Sequence, residues 1–465
     1  MKHLSIIALT LLALFTSCNR NGGEKSVYDY IPAESDGVAR VNVDAILKNS
    51  GCRIRDGKVT LSPSMELLLG AATPGQQEFF TAIVDLYPIL DMENVVITAY
   101  GDRPVGVTTV RNPELMERYL DENGVLTEVS GREIYATSTL AIAEDDGIAV
   151  IAESPELIAG IMQEADENPL SADQELTGFL KESEMTVSAY YRSKTTPNRH
   201  DRQESMAEGY NSMRLTIDLH ERFLDAELTM FDTEGYPVDI TRFIPPADPD
   251  VISSIPAGAQ GVAVMGESPD INGLMRYLHP ALSSIIRKYN EWMFVTDFIS
   301  GSFMISATPA ATGTYLRKMT PPAWNITGTM TLTDGNLSSI LSMLSMFGGG
   351  SKSRNADEEE GQMRYNLTPD ISLYLLQTPP LLTVSTDYIR TPEMESGYAD
   401  LFYGASFGVA INIPYNSETM RAFNLPYGPS VAIIGRDTSI TMRLSLNGSK
   451  TALLEALAET IREAR

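Results

Sequence analysis

The chain has 465 residues, with 61 Asp and Glu against 35 Lys and Arg, a formal charge of -26 and 43% apolar residues. That apolar content excludes disorder of the whole chain, and the length suits roughly two to four domains. The acidic field repels phosphates and offers few cations to release counterions, so DNA and RNA are excluded as partners.

Residues 1–17 begin Met-Lys-His, run apolar from Leu4 to Phe15, and end on Thr16 and Ser17. A positive start, an apolar stretch too short to span a bilayer and small residues before a cleavage point define a secretory signal, excluded from the fold. It ends on Cys18, and Phe15-Thr16-Ser17-Cys18 reads as a bacterial lipobox whose cysteine is diacylated. Cys18 is therefore the expected lipidation site, and the membrane is a partner through it. Residues 18–26 form a polar, glycine-bearing tether, and no later run reaches the ~18 apolar residues of a second anchor. Cys52, the other cysteine, cannot close an intramolecular disulfide and reads as a small buried hydrophobe.

Val38 to Val43 reads as extended chain leading into a helix from Asp44 to Lys48. Phe79, Phe80, Ile83, Val84 and Tyr87 fall at helical spacing, which predicts a helix over 76–90. Strands are expected at Val95–Tyr100 and Val105–Val110, a helix after Asn112-Pro113, and a hairpin turning at Glu144-Asp145-Asp146-Gly147. Further β segments run from Met185 to Tyr191 and Met213 to Thr229. Pro245-Pro246-Ala247-Asp248-Pro249 then ends any regular element and marks a boundary.

Beyond that boundary the pattern recurs. Ile31-Pro32-Ala33 with Gly37-Val38-Ala39 returns as Ile255-Pro256-Ala257 with Gly261-Val262-Ala263. Gly106 to Val110 with Leu115 matches Gly328 to Leu332 with Leu337, and Ile148 to Ala152 resembles Leu381 to Ser385. These matches predict two tandem related α+β repeats, 27–245 and 250–465, each an antiparallel sheet with helices packed on one face. The glycine-rich and then acidic stretch 348–362 reads as a mobile loop. A helix is expected at the end, from Lys450 to Ala464.

The lipobox, Tyr30-Ile31-Pro32-Ala33, the Gly37-Val38-Ala39-Arg40-Val41-Asn42 strand and Leu47-Lys48-Asn49-Ser50-Gly51 resemble the uncharacterised Bacteroidetes lipoprotein family known as domain of unknown function 4836. The resemblance implies an outer-membrane or periplasmic lipoprotein. It carries no known activity and no catalytic residues.

A search for chemistry yields little. Gly404-Ala405-Ser406-Phe407-Gly408 fits the nucleophile-elbow pattern, but a strand is expected after Ser406 where the elbow needs a helix. No histidine follows it, since the mature ones are His200, His220 and His279. None of the three has a second ligand at metal spacing, and Asp357 to Glu360 lacks the alternating oxygens of a calcium loop. No phosphate-cradling glycine motif follows a strand. The expectation is no catalytic residue, no metal and no cofactor. Trp324, after Pro321-Pro322-Ala323 in a stretch read as loop, is the tentative ligand contact, and Trp292 reads as core.

The sequence thus reads as a lipid-anchored cell-envelope protein of the outer membrane facing the periplasm, acting by non-catalytic binding or scaffolding of envelope proteins. Glycan or small-ligand binding is the alternative, and an enzyme with an unrecognised site the third reading.

Overall fold

A computed structural model of the chain describes residues 25–70, 74–100, 103–182, 184–194, 210–267, 269–278, 301–309, 324–347, 361–368, 371–389 and 397–463. Cys18, His200, His279, Trp292 and 348–360 of the acidic loop lie outside them. Two compact units divide the chain between Ala226 and Glu227, and the segment 449–463 belongs to the first. The sequence pattern sets the boundary at Pro245–Pro249 and the last helix in the second repeat.

The first unit contains β1 (Gly37–Val41), β2 (Arg53–Arg55), β3 (Lys58–Thr60), β4 (Leu90–Tyr100), β5 (Arg103–Val110), β6 (Val125–Val129), β7 (Arg132–Ala136), β8 (Ala141–Asp145), β9 (Ile148–Ala152), β10 (Val187–Lys194) and β11 (Tyr210–Leu219). β12 (Phe223–Phe231) spans the division. Apart from the separate β2–β3 hairpin, the strands form an antiparallel sheet in the order β6-β7-β8-β9-β5-β4-β1-β10-β11. The hairpin after β8 turns on Asp146 and Gly147, both with positive φ (50° and 75°), the backbone that Asp-Gly adopts most readily in a two-residue turn. Asn42 and Asn112 cap helices Val43–Asn49 and Pro113–Asn123 by accepting from the amides of Ala45 and Leu115. The helix expected over 76–90 stops at Asp85. Pro88 turns its predecessor away from helical backbone, and β4 begins at Leu90.

Burial corrects the expectation of helices on one face only. Val38, Val96, Val107, Ile148 and Val150 share a core with Ile158, Ile161 and Met162 of helix Pro155–Glu167. The alternate residues Val41, Val95, Ala149 and Ile151, which point to the other face, are also at most 5% exposed. Strands as continuously apolar as Ile-Ala-Val-Ile-Ala need cover on both sides. The C-terminal helix Leu453–Glu463 packs against helix Pro63–Leu69 in this unit, burying Leu453, Ala456 and Ala458.

The second unit contains β13 (Gly261–Met265), β14 (Phe303–Pro309), β15 (Trp324–Thr331), β16 (Met363–Thr368), β17 (Ile371–Thr378), β18 (Leu381–Ser385), β19 (Phe407–Asn412), β20 (Gly428–Arg436) and β21 (Ser439–Asn447). Their antiparallel order is β16-β17-β18-β15-β14-β13-β19-β20-β21. Val38 opposes Thr98 across β1–β4, and Val262 opposes Ser306 across β13–β14. Gly106 stands between Ile97 and Ile151, as Gly328 stands between Ile305 and Val384. Gly37 opposes Tyr191 as Gly261 opposes Ile411. The same strand order and register therefore run through β9-β5-β4-β1-β10 and β18-β15-β14-β13-β19. Ile31 and Ile255, matched in the sequence, are both fully buried.

One face of the second sheet is closed. Val262, Val264, Met304, Ala410 and Ile434 form a core with Val251 and Ile252 of helix Pro249–Ser253 and Phe402 of helix Tyr398–Phe402. On the opposite face Phe303, Met330 and Leu382 are covered, with Leu337 of helix Asp334–Phe347 packed against them.

Candidate functional site

In the second unit a cleft of about 520 Å³ forms where five separated stretches converge: 245–249, Glu267, Gly301–Ser302, Thr331 with Thr333, and Tyr403–Gly404. The proline-rich stretch is its wall. Pro245 lies so close to Gly266 that a Cβ there would stand 1.7 Å from the Pro245 carbonyl oxygen, a contact only glycine permits. The Ala247 amide donates to the Ala405 carbonyl at 2.8 Å, and the Asp248 amide to buried Ser302 Oγ at 3.0 Å. Asp248 then caps helix Pro249–Ser253 through the Asp250 amide.

Gly301, with φ of 84°, and Ser302 hold the floor against β15, where the Thr331 amide donates to the Ser302 carbonyl at 3.0 Å. At the rim, Tyr403 is 69% exposed, and Glu267 is exposed as well. The cleft thus offers hydroxyls from Ser302, Thr331 and Thr333, carboxylates from Asp248 and Glu267, and one open aromatic face. Such a set accepts and donates hydrogen bonds to a neutral polyhydroxyl ligand and repels an anion.

Ser406 stands behind the cleft wall rather than in it. Its amide donates to Gly435, its carbonyl accepts from Gly266, and its side chain is fully buried. Helix Tyr398–Phe402 precedes it and β19 follows, the reverse of the strand–turn–helix order of a nucleophile elbow. His220 pairs with Asp218 at 2.9 Å and lies on the Phe223 ring, with centroids 4.1 Å apart. Among the described residues, no group of three His, Cys, Asp or Glu is placed to hold a metal. Cys52 is buried, and burial pushes its thiol above the ordinary range.

Trp324 is not on a loop. It opens β15 opposite Pro309 and is half-buried. It is not among the residues lining the cleft. Most residues that line it belong to no motif; Gly404 opens the Gly-x-Ser-x-Gly pattern, and Pro245-Pro246, a boundary signal in the sequence, forms the wall.

No family model matches the sequence, and no curated protein matches it. Among solved structures, crystal form I of TP0453 is similar with a TM-score of 0.26 and 9% identity, over 45% of this chain and 79% of that one.

Proposed function

We propose that this chain is a lipid-anchored protein of the cell envelope, of the kind its resemblance to the Bacteroidetes lipoprotein family implies. In this reading it consists of two related copies of one α+β unit and acts by binding or scaffolding rather than by catalysis. The shared register of the two sheets supports the duplication, since matched residues at three separate places in the sequence occupy matched positions in the ladder.

The observation that carries the binding role is an apolar row on the second sheet. Ala263 opposes both Ile305 and Val409, and Val409 opposes Ile433. Gly261 opposes Ile411, and also Ala307, which in turn opposes Ile326. Directly opposed residues share a face. Ile305, Ile326, Val409, Ile411 and Ile433 therefore lie together, each between 37% and 47% exposed. An apolar centre of this kind suits a protein partner. Val409→Lys with Ile411→Lys should remove specific bands from an affinity pull-down of solubilised envelope while leaving the melting temperature unchanged. An unaltered band pattern would end the reading.

Tyr403 at the mouth of the cleft favours glycan binding as the second reading, and Trp324 remains its other proposed contact. Titration with envelope oligosaccharides, followed by Tyr403→Ala and Trp324→Ala, separates the two aromatics. The anchor itself is tested by Cys18→Ser, which should release the protein from the membrane fraction.

A further inference from the structure

We propose that the end of the first sheet carrying the β6–β7 and β8–β9 turns is the pole that faces the phospholipid surface. The proposal rests on acylation of Cys18 and adds an orientation to it. The chain enters the fold at a fixed place. Tyr28, Tyr30 and Ile31 are buried in the same core as Ala143, Ile148 and Val150 of the β8–β9 hairpin. Tyr30 Oη donates to Asp145 Oδ2 at 2.9 Å and to its carbonyl at 3.1 Å. Lys25, the first described residue, places its ammonium 2.6 Å from Asp145 Oδ2, 3.9 Å from Asp146 and 5.2 Å from the centre of the Tyr30 ring.

The folded end of the tether is therefore pinned beside the Asp146-Gly147 turn. Between Cys18 and Lys25 the chain makes seven residue steps, which at ~3.5 Å each reach at most about 25 Å. Whatever conformation those residues take, the Lys25 backbone cannot move farther than that from Cys18, and the turn lies one lysine side chain beyond it. β8 has five residues. At about 3.3 Å per residue, its far end and the Thr137–Leu140 connection that precedes it lie about 17 Å deeper along the strand. The Ser130-Gly131 turn shares the near end, because β7 runs antiparallel to β8. Both turns are two residues long.

The test uses the full-length acylated protein in vesicles of phosphatidylethanolamine and phosphatidylglycerol that carry an energy-transfer acceptor on some headgroups. A donor is attached at exposed Glu144→Cys, beside the turn, or at exposed Ser138→Cys, at the far end of β8. Unmutated protein, whose Cys52 is buried, supplies the blank. Transfer from position 144 should exceed that from 138 by about twofold, given the gap of several residues along the strand. Inserting about ten Gly and Ser residues after Gly23 should abolish the difference, because a flexible chain of that length no longer restrains the turn. Equal transfer from both sites, with the protein still floating with the vesicles, would overturn the pole and leave the acylation reading standing. Failure to float would overturn both. A difference that survives the insertion would overturn the tether as its cause.

Discussion

The two units carry the same central ladder but finish it differently. β9 is buried at every position, while β18, which holds the corresponding place, is buried only at Leu382 and Ser385 and half-buried elsewhere. The contrast starts from side chains. Val107 opposes Val150 in the first unit, both fully buried in the core that helix Pro155–Glu167 completes. At the same rungs of the second unit Thr329 opposes Thr383, their hydroxyls 3.2 Å apart, and Thr327 meets Ser385 at 2.9 Å. Valine and threonine have nearly the same shape, so the backbone register survives the exchange. The buried hydroxyls of Thr329 and Ser385, however, must find partners across the strand, and the half-buried Thr383 and Thr327 supply them. One backbone plan thus supports an apolar two-sided core in one unit and, in the other, a hydroxyl ladder on one face with an open apolar row on the opposite one.

The largest effect should come from truncating the two-sided core. Ile151→Ala removes most of a side chain that is 2% exposed, and should cost about 2–5 kcal/mol in urea unfolding. Ile411→Ala, on the open row at 41% exposure, should cost less than about 1 kcal/mol. Similar losses at the two sites would show that the open face is covered in solution, and the comparison would fail. A smaller, sharper effect is expected in the hydroxyl ladder. Thr383→Val leaves the fully buried Thr329 hydroxyl without its cross-strand partner and should cost about 1–3 kcal/mol. Adding Thr329→Val recreates the valine pair of the first unit and should recover most of that loss, as a double-mutant cycle would measure. A double variant no better than the single one would mean that packing around the rung, and not the hydroxyl pair, distinguishes the units.

Where one short stretch of chain determined the outcome, the sequence was readable. Asp146-Gly147 dictates a two-residue turn, and Asn42 and Asn112 sit where a helix needs an acceptor for its free amides. Features that depend on distant segments meeting were not readable. Nothing local in Leu453–Glu463 says that it packs beside Pro63–Leu69, because an amphipathic helix states which face it buries and not against what. The cleft is the extreme case. Pro245, Glu267, Ser302, Thr331 and Tyr403 come from five places in the chain, and each has an ordinary local role as breaker, surface acid, strand residue or loop aromatic.

The smallest predicted effect concerns a carboxylate that only the first unit possesses at its hairpin tip. The corresponding turn before β18 is Pro379-Pro380, with nothing to ionise, whereas β8 ends on Asp145. The hydrogen bond from Lys25 holds the Asp145 carboxyl below its ordinary range, against partial burial and with help from Tyr30. A carboxyl whose folded pKa is depressed adds stability that is complete above its unfolded value of about 3.9, and that fades as the pH falls through the lower folded value. Asp91 acts in the opposite sense. Burial outweighs its pairing with Arg111 and raises its carboxyl, so its charged form is disfavoured in the fold and acid relieves that penalty. The net acid profile of the protein mixes the two, and only a difference between variants isolates Asp145. Asp145→Asn keeps an oxygen to accept from Lys25 and Tyr30 but removes the titration. Its stability should therefore fall less than that of the wild type as the pH drops below about 4, by under about 1 kcal/mol because the pair is well solvated. Parallel stability curves over that range would show that Lys25 does not hold Asp145 in solution, and would remove the pin from which the orientation of the first unit was argued.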